Sequence, residues 1–157
     1  MKRIWAPWRM SYIKGPQKTG CVFCFDPKED QSRLVLRREQ RAFVLLNKYP
    51  YTSGHAMVVP TVHVGRPEDI SAQDFSAVCE LLRESCRAIK DSLSPDGINI
   101  GMNIGKVAGA GVADHLHFHI VPRWNGDHNF MPVVSEMRVI NEYLEATYQK
   151  MLAFFQK

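Results

Sequence analysis

The sequence predicts an α+β fold in which an antiparallel sheet carries helices on one face. Three observations lead there. Short apolar runs bounded by turn residues occupy positions 34–36, 42–46 and 55–60. One long amphipathic stretch follows, its apolar side chains at helical spacing from Phe75 to Leu93. Extended stretches at 98–104 and 115–122 come next, and then a tail at about 135–155 that returns to helical spacing. Runs of period two or of continuous apolar character mark strands, and the 3–4 spacing marks helices.

Each element has a local cause. Residues 1–32 are irregular and rich in Pro, Gly and Lys; their aromatics Trp5, Trp8 and Tyr12 are expected to pack across the domain or a partner. Asn47-Lys48-Tyr49-Pro50-Tyr51-Thr52-Ser53-Gly54 is a turn-rich connection into the strand at 55–60, which Pro60 ends. Ser71 is the expected helix N-cap, with Asp74 in the first turn. Phe75, Val78, Cys79, Leu82, Cys86, Ile89 and Leu93 form the expected apolar stripe of a helix of about six turns. Ser94-Pro95-Asp96-Gly97 stops it. In the strand at 98–104, Asn99, Gly101 and Asn103 point one way and Ile98, Ile100, Met102 and Ile104 the other. The tail places Met137, Ile140, Leu144, Tyr148, Met151 and Phe155 on one helical face.

Composition narrows the function classes. A chain of 157 residues, 45% hydrophobic and 23% charged, suits one domain with a sizeable core, and neither a linker nor an internal repeat interrupts it. The 10 Gly and 9 Pro are an ordinary share, which excludes collagen-like and low-complexity readings. No run reaches the ~18 apolar residues of a membrane span. The basic start, Met1-Lys2-Arg3-Ile4-Trp5, lacks the apolar region and cleavage site of a secretory signal, so a cytoplasmic protein is expected. The net charge of +4 suits a small anionic ligand such as a nucleotide and is too mild for a nucleic-acid-coating surface. A disulfide framework is not expected in that compartment; Cys79 and Cys86 read as small buried apolar residues.

The chemistry concentrates in His115-Leu116-His117-Phe118-His119-Ile120-Val121-Pro122. On a strand, His115, His117 and His119 face one side at intervals of about 7 Å, while Leu116, Phe118 and Ile120 face the core. Such a face serves as a metal site, as a row of satisfied surface histidines, or as a nucleophilic site. Neutral imidazole attacks phosphorus near pH 7 and forms a covalent phosphoramidate. The preceding loop, Gly105-Lys106-Val107-Ala108-Gly109-Ala110-Gly111, favours the nucleophilic use, since backbone amides of Gly109, Ala110 and Gly111 can cradle phosphate oxygens. Lys106 reads as a solvated lysine and His128 as a surface side chain.

HLHFHIV resembles the histidine-triad signature, His-φ-His-φ-His-φ-φ with φ apolar. The resemblance extends to Asn47, to Gly54-His55-Ala56-Met57-Val58-Val59-Pro60, to Asn103-Ile104-Gly105 and to Pro122-Arg123-Trp124. It covers roughly residues 34–130, between the N-terminal segment at 1–32 and the C-terminal helix at 135–157. Trp5-Ala6-Pro7-Trp8-Arg9 and Trp124-Asn125-Gly126-Asp127 are similar to the bacterial branch that contains diadenosine tetraphosphate phosphorylases. The resemblance implies a five-stranded antiparallel sheet with a long and a C-terminal helix, working as a homodimer with a joined sheet. It implies that His117 attacks the α-phosphorus of an adenine nucleotide or dinucleoside polyphosphate, and that water or inorganic phosphate resolves the intermediate. His119 then serves the phosphate or leaving group, His115 orients the site, and His55 supports them from behind. Asn47 meets the ribose and Asn103 a phosphate oxygen, while Arg123 and Trp124 either contact phosphate and adenine or pack. The resembled phosphorylases and many triad hydrolases carry Ser or Gln near Gly111; this chain reads Gly109-Ala110-Gly111-Val112, leaving only backbone amides there.

Cys21-Val22-Phe23-Cys24 has the spacing of a zinc knuckle and needs two more ligands. The resemblance supplies His63 and His115, giving a structural Cys2His2 zinc site; the alternative is a reduced, metal-free pair. Two other activities stay open beside dinucleotide cleavage: hydrolysis of nucleoside phosphoramidates, and non-catalytic binding of zinc and nucleotide.

Overall fold

Among the described residues five strands pair into one sheet: β1 (Val35–Arg38), β2 (Ala42–Leu46), β3 (Ala56–Pro60), β4 (Gly97–Met102) and β5 (Phe118–Arg123). The order is β1-β2-β3-β5-β4 and every pairing is antiparallel. Helix α1 (Ala72–Leu93) connects β3 to β4, and α2 (Leu144–Phe155) closes the chain. The computed structural model describes residues 20–127, 140 and 142–156. Trp5, Trp8, Tyr12, Met137 and His128 lie outside the described residues, as do positions 135–139 of the expected tail helix.

The sheet divides the interior into two apolar clusters. Leu36, Val44, Leu46, Val58 and Ile120 face α1 and α2, where Val78, Leu81, Ile89, Tyr148, Met151 and Phe155 cover them. Val35, Phe43, Leu45, Met57 and Val59 face the other way and gather Phe23 of the Cys21–Cys24 segment over them. Alternation along β2 and β3 thus feeds both faces, which is why their five residues are buried throughout.

Helix α1 begins as expected: the Ser71 hydroxyl accepts from the Asp74 amide at 3.1 Å, and Arg41 at the start of β2 reaches the Asp74 carboxylate at 2.5 Å. It ends at Ser94, whose φ of 48° is left-handed. The face turned to the sheet runs through Val78, Leu81, Ser85, Ala88, Ile89 and Ser92. That face is rotated relative to the predicted stripe. Cys79 is therefore exposed and Cys86 half-buried, and the expectation that both are buried is corrected. On β4, Ile100 and Ile104 beyond its end are half-exposed, because this strand is the edge of the sheet.

Gly54 fixes the entrance to β3. Its φ is +75°, and a Cβ there would sit 2.2 Å from Leu93 Cδ1 at the end of α1. The turn before His55 thus approaches the Leu93 side chain closely, in a left-handed conformation that glycine adopts without strain.

Candidate active site and metal centre

The histidine segment is a strand only in its second half. His119 pairs with Met57 on one side and Gly101 on the other, whereas His115 and His117 precede the start of β5 at Phe118. The ladder with β3 is recorded only as far as Val58↔Phe118; beyond it stands Pro60, which has no N–H to donate. The chain continues alongside the loop after β3 instead, with the Leu116 amide donating to the Val64 carbonyl at 2.7 Å. His119 opposite Met57 lies on the face away from the helices, and Ile120 opposite Ala56 lies on the helix face, as the alternation predicts.

Backbone groups fix the tautomers. The His117 Nδ1–H donates to the His115 carbonyl at 2.9 Å, since a carbonyl can only accept. Neutral His117 therefore presents an unprotonated Nε2. His55 Nδ1 accepts from the Tyr51 amide at 3.1 Å, with the Asn47 amide group 3.3 Å away. Its proton is thus on Nε2, which donates to His119 Nδ1 at 2.9 Å. Neutral His119 then carries its own proton on Nε2. The His117 and His119 rings meet edge to face at 5.0 Å.

Burial keeps these rings neutral. Desolvation, then the neighbouring His119 and His117, lower His55 to about 3. Desolvation, then His117, lower His119 to about 4. His117 is lowered by burial too, partly offset by its bond to the His115 carbonyl. At neutral pH the assembly offers one lone pair and one N–H side by side.

Cys21, Cys24, His63 and His115 come together although they are up to 94 residues apart, with their four donor atoms within 4.8 Å of one another. Cys21 Sγ is 3.2 Å and Cys24 Sγ 3.6 Å from His115 Nδ1; His63 Nδ1 is 3.4 Å from Cys24 Sγ and 3.3 Å from His115 Nδ1. Tetrahedral bonds of about 2.3 Å to sulfur and about 2.05 Å to nitrogen put S–N neighbours about 3.5 Å and N–N neighbours about 3.3 Å apart. The donors fit such an ion. The His115 Nε2–H donates to the Pro60 carbonyl at 2.9 Å, which turns the lone pair of Nδ1 toward the cluster.

The remaining expected residues divide. Asn47 is occupied locally: its Oδ1 accepts from the Tyr49 amide at 2.9 Å while its amide group approaches His55. The Asn103 amide reaches the Gly109 carbonyl at 3.4 Å, tying β4 to the glycine loop. The Gly109 and Ala110 amides close the loop on Lys106 and Gly105, which narrows the expected phosphate cradle to Gly111 and beyond. Arg123 pairs with Asp127 at 2.6 Å and with Asn99 at 3.1 Å, a packing arrangement. Trp124 follows the far end of β5, roughly 16 Å along the strand from His119. Concavities of about 440 and 520 Å³ lie on the helix side around Arg37 and contain no histidine.

The HIT domain family profile matches residues 28–126. The chain belongs to the histidine-triad (HIT) family. It is 35% identical over 157 aligned positions to the AP-4-A phosphorylase of Mycobacterium tuberculosis H37Rv, covering 94% of this chain and 80% of the relative. It is 30% identical over 108 positions to adenosine 5'-monophosphoramidase hnt1 of Schizosaccharomyces pombe, covering 69% of this chain and 77% of that one. A Zn-bound histidine triad family protein from Mycobacterium smegmatis superposes with a TM-score of 0.71 at 28% identity, covering 87% of this chain and 94% of that chain. Two features of this HIT site escaped sequence reasoning. Tyr51 packs against His55 with ring centroids 4.5 Å apart and tilted by 35°, and Phe23 packs against His117 at 5.2 Å. Their positions in the turn before His55 and inside the cysteine pair were the available signals.

Proposed function

We propose that this HIT protein cleaves a dinucleoside polyphosphate such as diadenosine tetraphosphate at an α-phosphorus through a nucleotidyl-His117 intermediate. The observation that carries the reading is the hydrogen bond from His117 Nδ1 to the His115 carbonyl, which leaves Nε2 as the nucleophilic lone pair. In the first step a P–N bond to His117 forms and the α,β-anhydride P–O bond breaks. His119 Nε2–H faces the departing oxygen and donates to it, with His55 behind it holding the donor tautomer. The carbonyl dipole of His115 stabilises the positive charge that His117 gains. In the second step inorganic phosphate or water attacks phosphorus, the P–N bond breaks, and ADP or AMP leaves beside ATP. Catalysis of this kind rests on positioning and charge stabilisation.

A zinc ion held by Cys21, Cys24, His63 and His115 would supply structure, clamping the N-terminal segment and the loop after β3 to the triad; closure by four protein ligands argues for that role. The half-exposed Ile100 and Ile104 on and beside the β4 edge support a homodimer joined through that edge.

Products decide the assignment. Diadenosine tetraphosphate is incubated with the zinc-loaded protein with and without phosphate, and ADP, AMP and ATP are quantified. ADP rising with phosphate marks a phosphorylase; AMP independent of phosphate marks a hydrolase. An intact dinucleotide beside a hydrolysed adenosine phosphoramidate would transfer the same His117 chemistry to amine leaving groups. No turnover of either substrate overturns the proposal.

A further inference from the structure

Phe23 is one of only two residues between the cysteines of the metal cluster. Its neighbour Val22 is 49% exposed, while Phe23 is 6% exposed. The Phe23 amide points at Cys21 Sγ at 3.4 Å, and the Cys24 amide donates to the Cys21 carbonyl at 3.1 Å, so sulfur and backbone set the ring's place together. The ring touches both sides of the molecule's chemistry: it meets His115, a donor of the metal cluster, edge-on at 5.5 Å, and His117 at 5.2 Å. Beneath it lie Val35, Phe43, Leu45, Met57 and Val59, with Val112 of the segment after the glycine loop at the margin.

We infer that Phe23 is a positioning residue that couples metal occupancy to nucleotide binding at His117. This rests on the reading of His117 as the nucleotide site. The physical reason is geometric. An ion shared by the two sulfurs and two imidazoles, which lie 3.2–3.6 Å apart, would tie the knuckle to His63 and His115, and withdrawing it removes those ties. The knuckle then holds to the sheet through the packing of Phe23, Cys21 and Phe25 on the cluster beneath, and loosening it withdraws the Phe23 ring from His117. A bound ion fixes the knuckle and presses Phe23 into place. A nucleotide seated against His117 acts on the same ring through the His117 imidazole and stabilises the same closed arrangement. By linkage, each ligand tightens the other by an equal factor, ordinarily ~5–150-fold.

The test measures binding rather than turnover. Zinc affinity is measured by competition with a chromogenic chelator, with and without saturating AMP, and AMP affinity is measured by calorimetry on zinc-loaded and zinc-free protein. The wild type is expected to show equal and reciprocal tightening of about tenfold. Phe23→Ala is expected to bind one zinc and to bind AMP, with both cross-effects gone; Phe23→Leu, which keeps apolar bulk, restores part of them. Circular dichroism of each variant confirms folding, and Phe23→Leu carries the comparison if Phe23→Ala does not fold. AMP binding that is indifferent to zinc in the wild type, or undiminished coupling in a folded variant, overturns the inference and leaves the nucleotide site standing. Failure of the zinc-loaded wild type to bind AMP overturns both.

Discussion

His55 Nε2 lies 2.9 Å from His119 Nδ1, and the backbone amide of Tyr51 fixes the direction of the proton between them. A group that can only donate settles the tautomer of one histidine, and that histidine settles the next. The second imidazole thereby becomes a donor toward the space beside His117, whose own tautomer a carbonyl has set the opposite way.

Replacing His117 by Ala is expected to remove turnover by a factor on the order of 10⁴–10⁶ while leaving the fold intact. Mass spectrometry of the wild type quenched in alkaline denaturant during turnover, where a P–N bond to histidine survives, should show an added nucleotidyl group on the peptide containing His117. A label on another residue, or full activity of the variant, refutes the nucleophile assignment.

His119→Ala is expected to lower kcat by about 10²–10⁴-fold, the usual worth of a positioned proton donor. His55→Ala should cost less, about 10–100-fold, because it acts through His119. His55→Gln, which can keep an N–H toward His119, should recover part of the loss. Equal rates for the Ala and Gln variants would show that the proton direction does not matter.

Stability should fall as pH drops below about 6.5. In the unfolded chain a histidine takes up its proton near that value, whereas folded His55 and His119 do so only at about 3 and about 4. Between these limits the unfolded state binds more protons, so the stability present at neutral pH is progressively lost on acidification. Urea unfolding at pH 7 and pH 4.5 measures the loss, and His55→Gln should make it smaller. A flat profile would mean that these rings are not held neutral.

Removing the metal should lower the thermal midpoint by about 5–15 °C, the shift expected when a ligand far above its dissociation constant is withdrawn from a domain of this size. Cys24→Ser and His63→Ala should each abolish stoichiometric zinc in elemental analysis and unfold at the midpoint of the chelated wild type. Zinc retained by both variants would place it elsewhere.

Gly54→Ala should destabilise by about 1–2 kcal/mol, because a left-handed φ disfavours any Cβ and the new methyl must displace Leu93. Denaturant midpoints measure it directly. An unchanged midpoint would show that the turn before His55 tolerates a different path.

What the sequence determined is local and periodic. The run of apolar residues at 42–46 and 55–60, the cap at Ser71 and the stop at Ser94 specify their elements from neighbouring residues alone, and all appear. Alternation likewise predicted His119 and Ile120 on opposite faces. Tertiary structure decided the rest, because it depends on which groups meet across the chain. The rotation of α1 that exposes Cys79 follows from how the helix seats on the sheet, and a 3.6-residue period leaves several adjacent stripes nearly equivalent. Within the described part of the tail, α2 starts at Leu144. The start of β5 at Phe118 follows from its pairing with a β3 that ends in Pro60, and the direction of each imidazole proton from an amide or carbonyl that only the folded backbone brings within 3 Å or so.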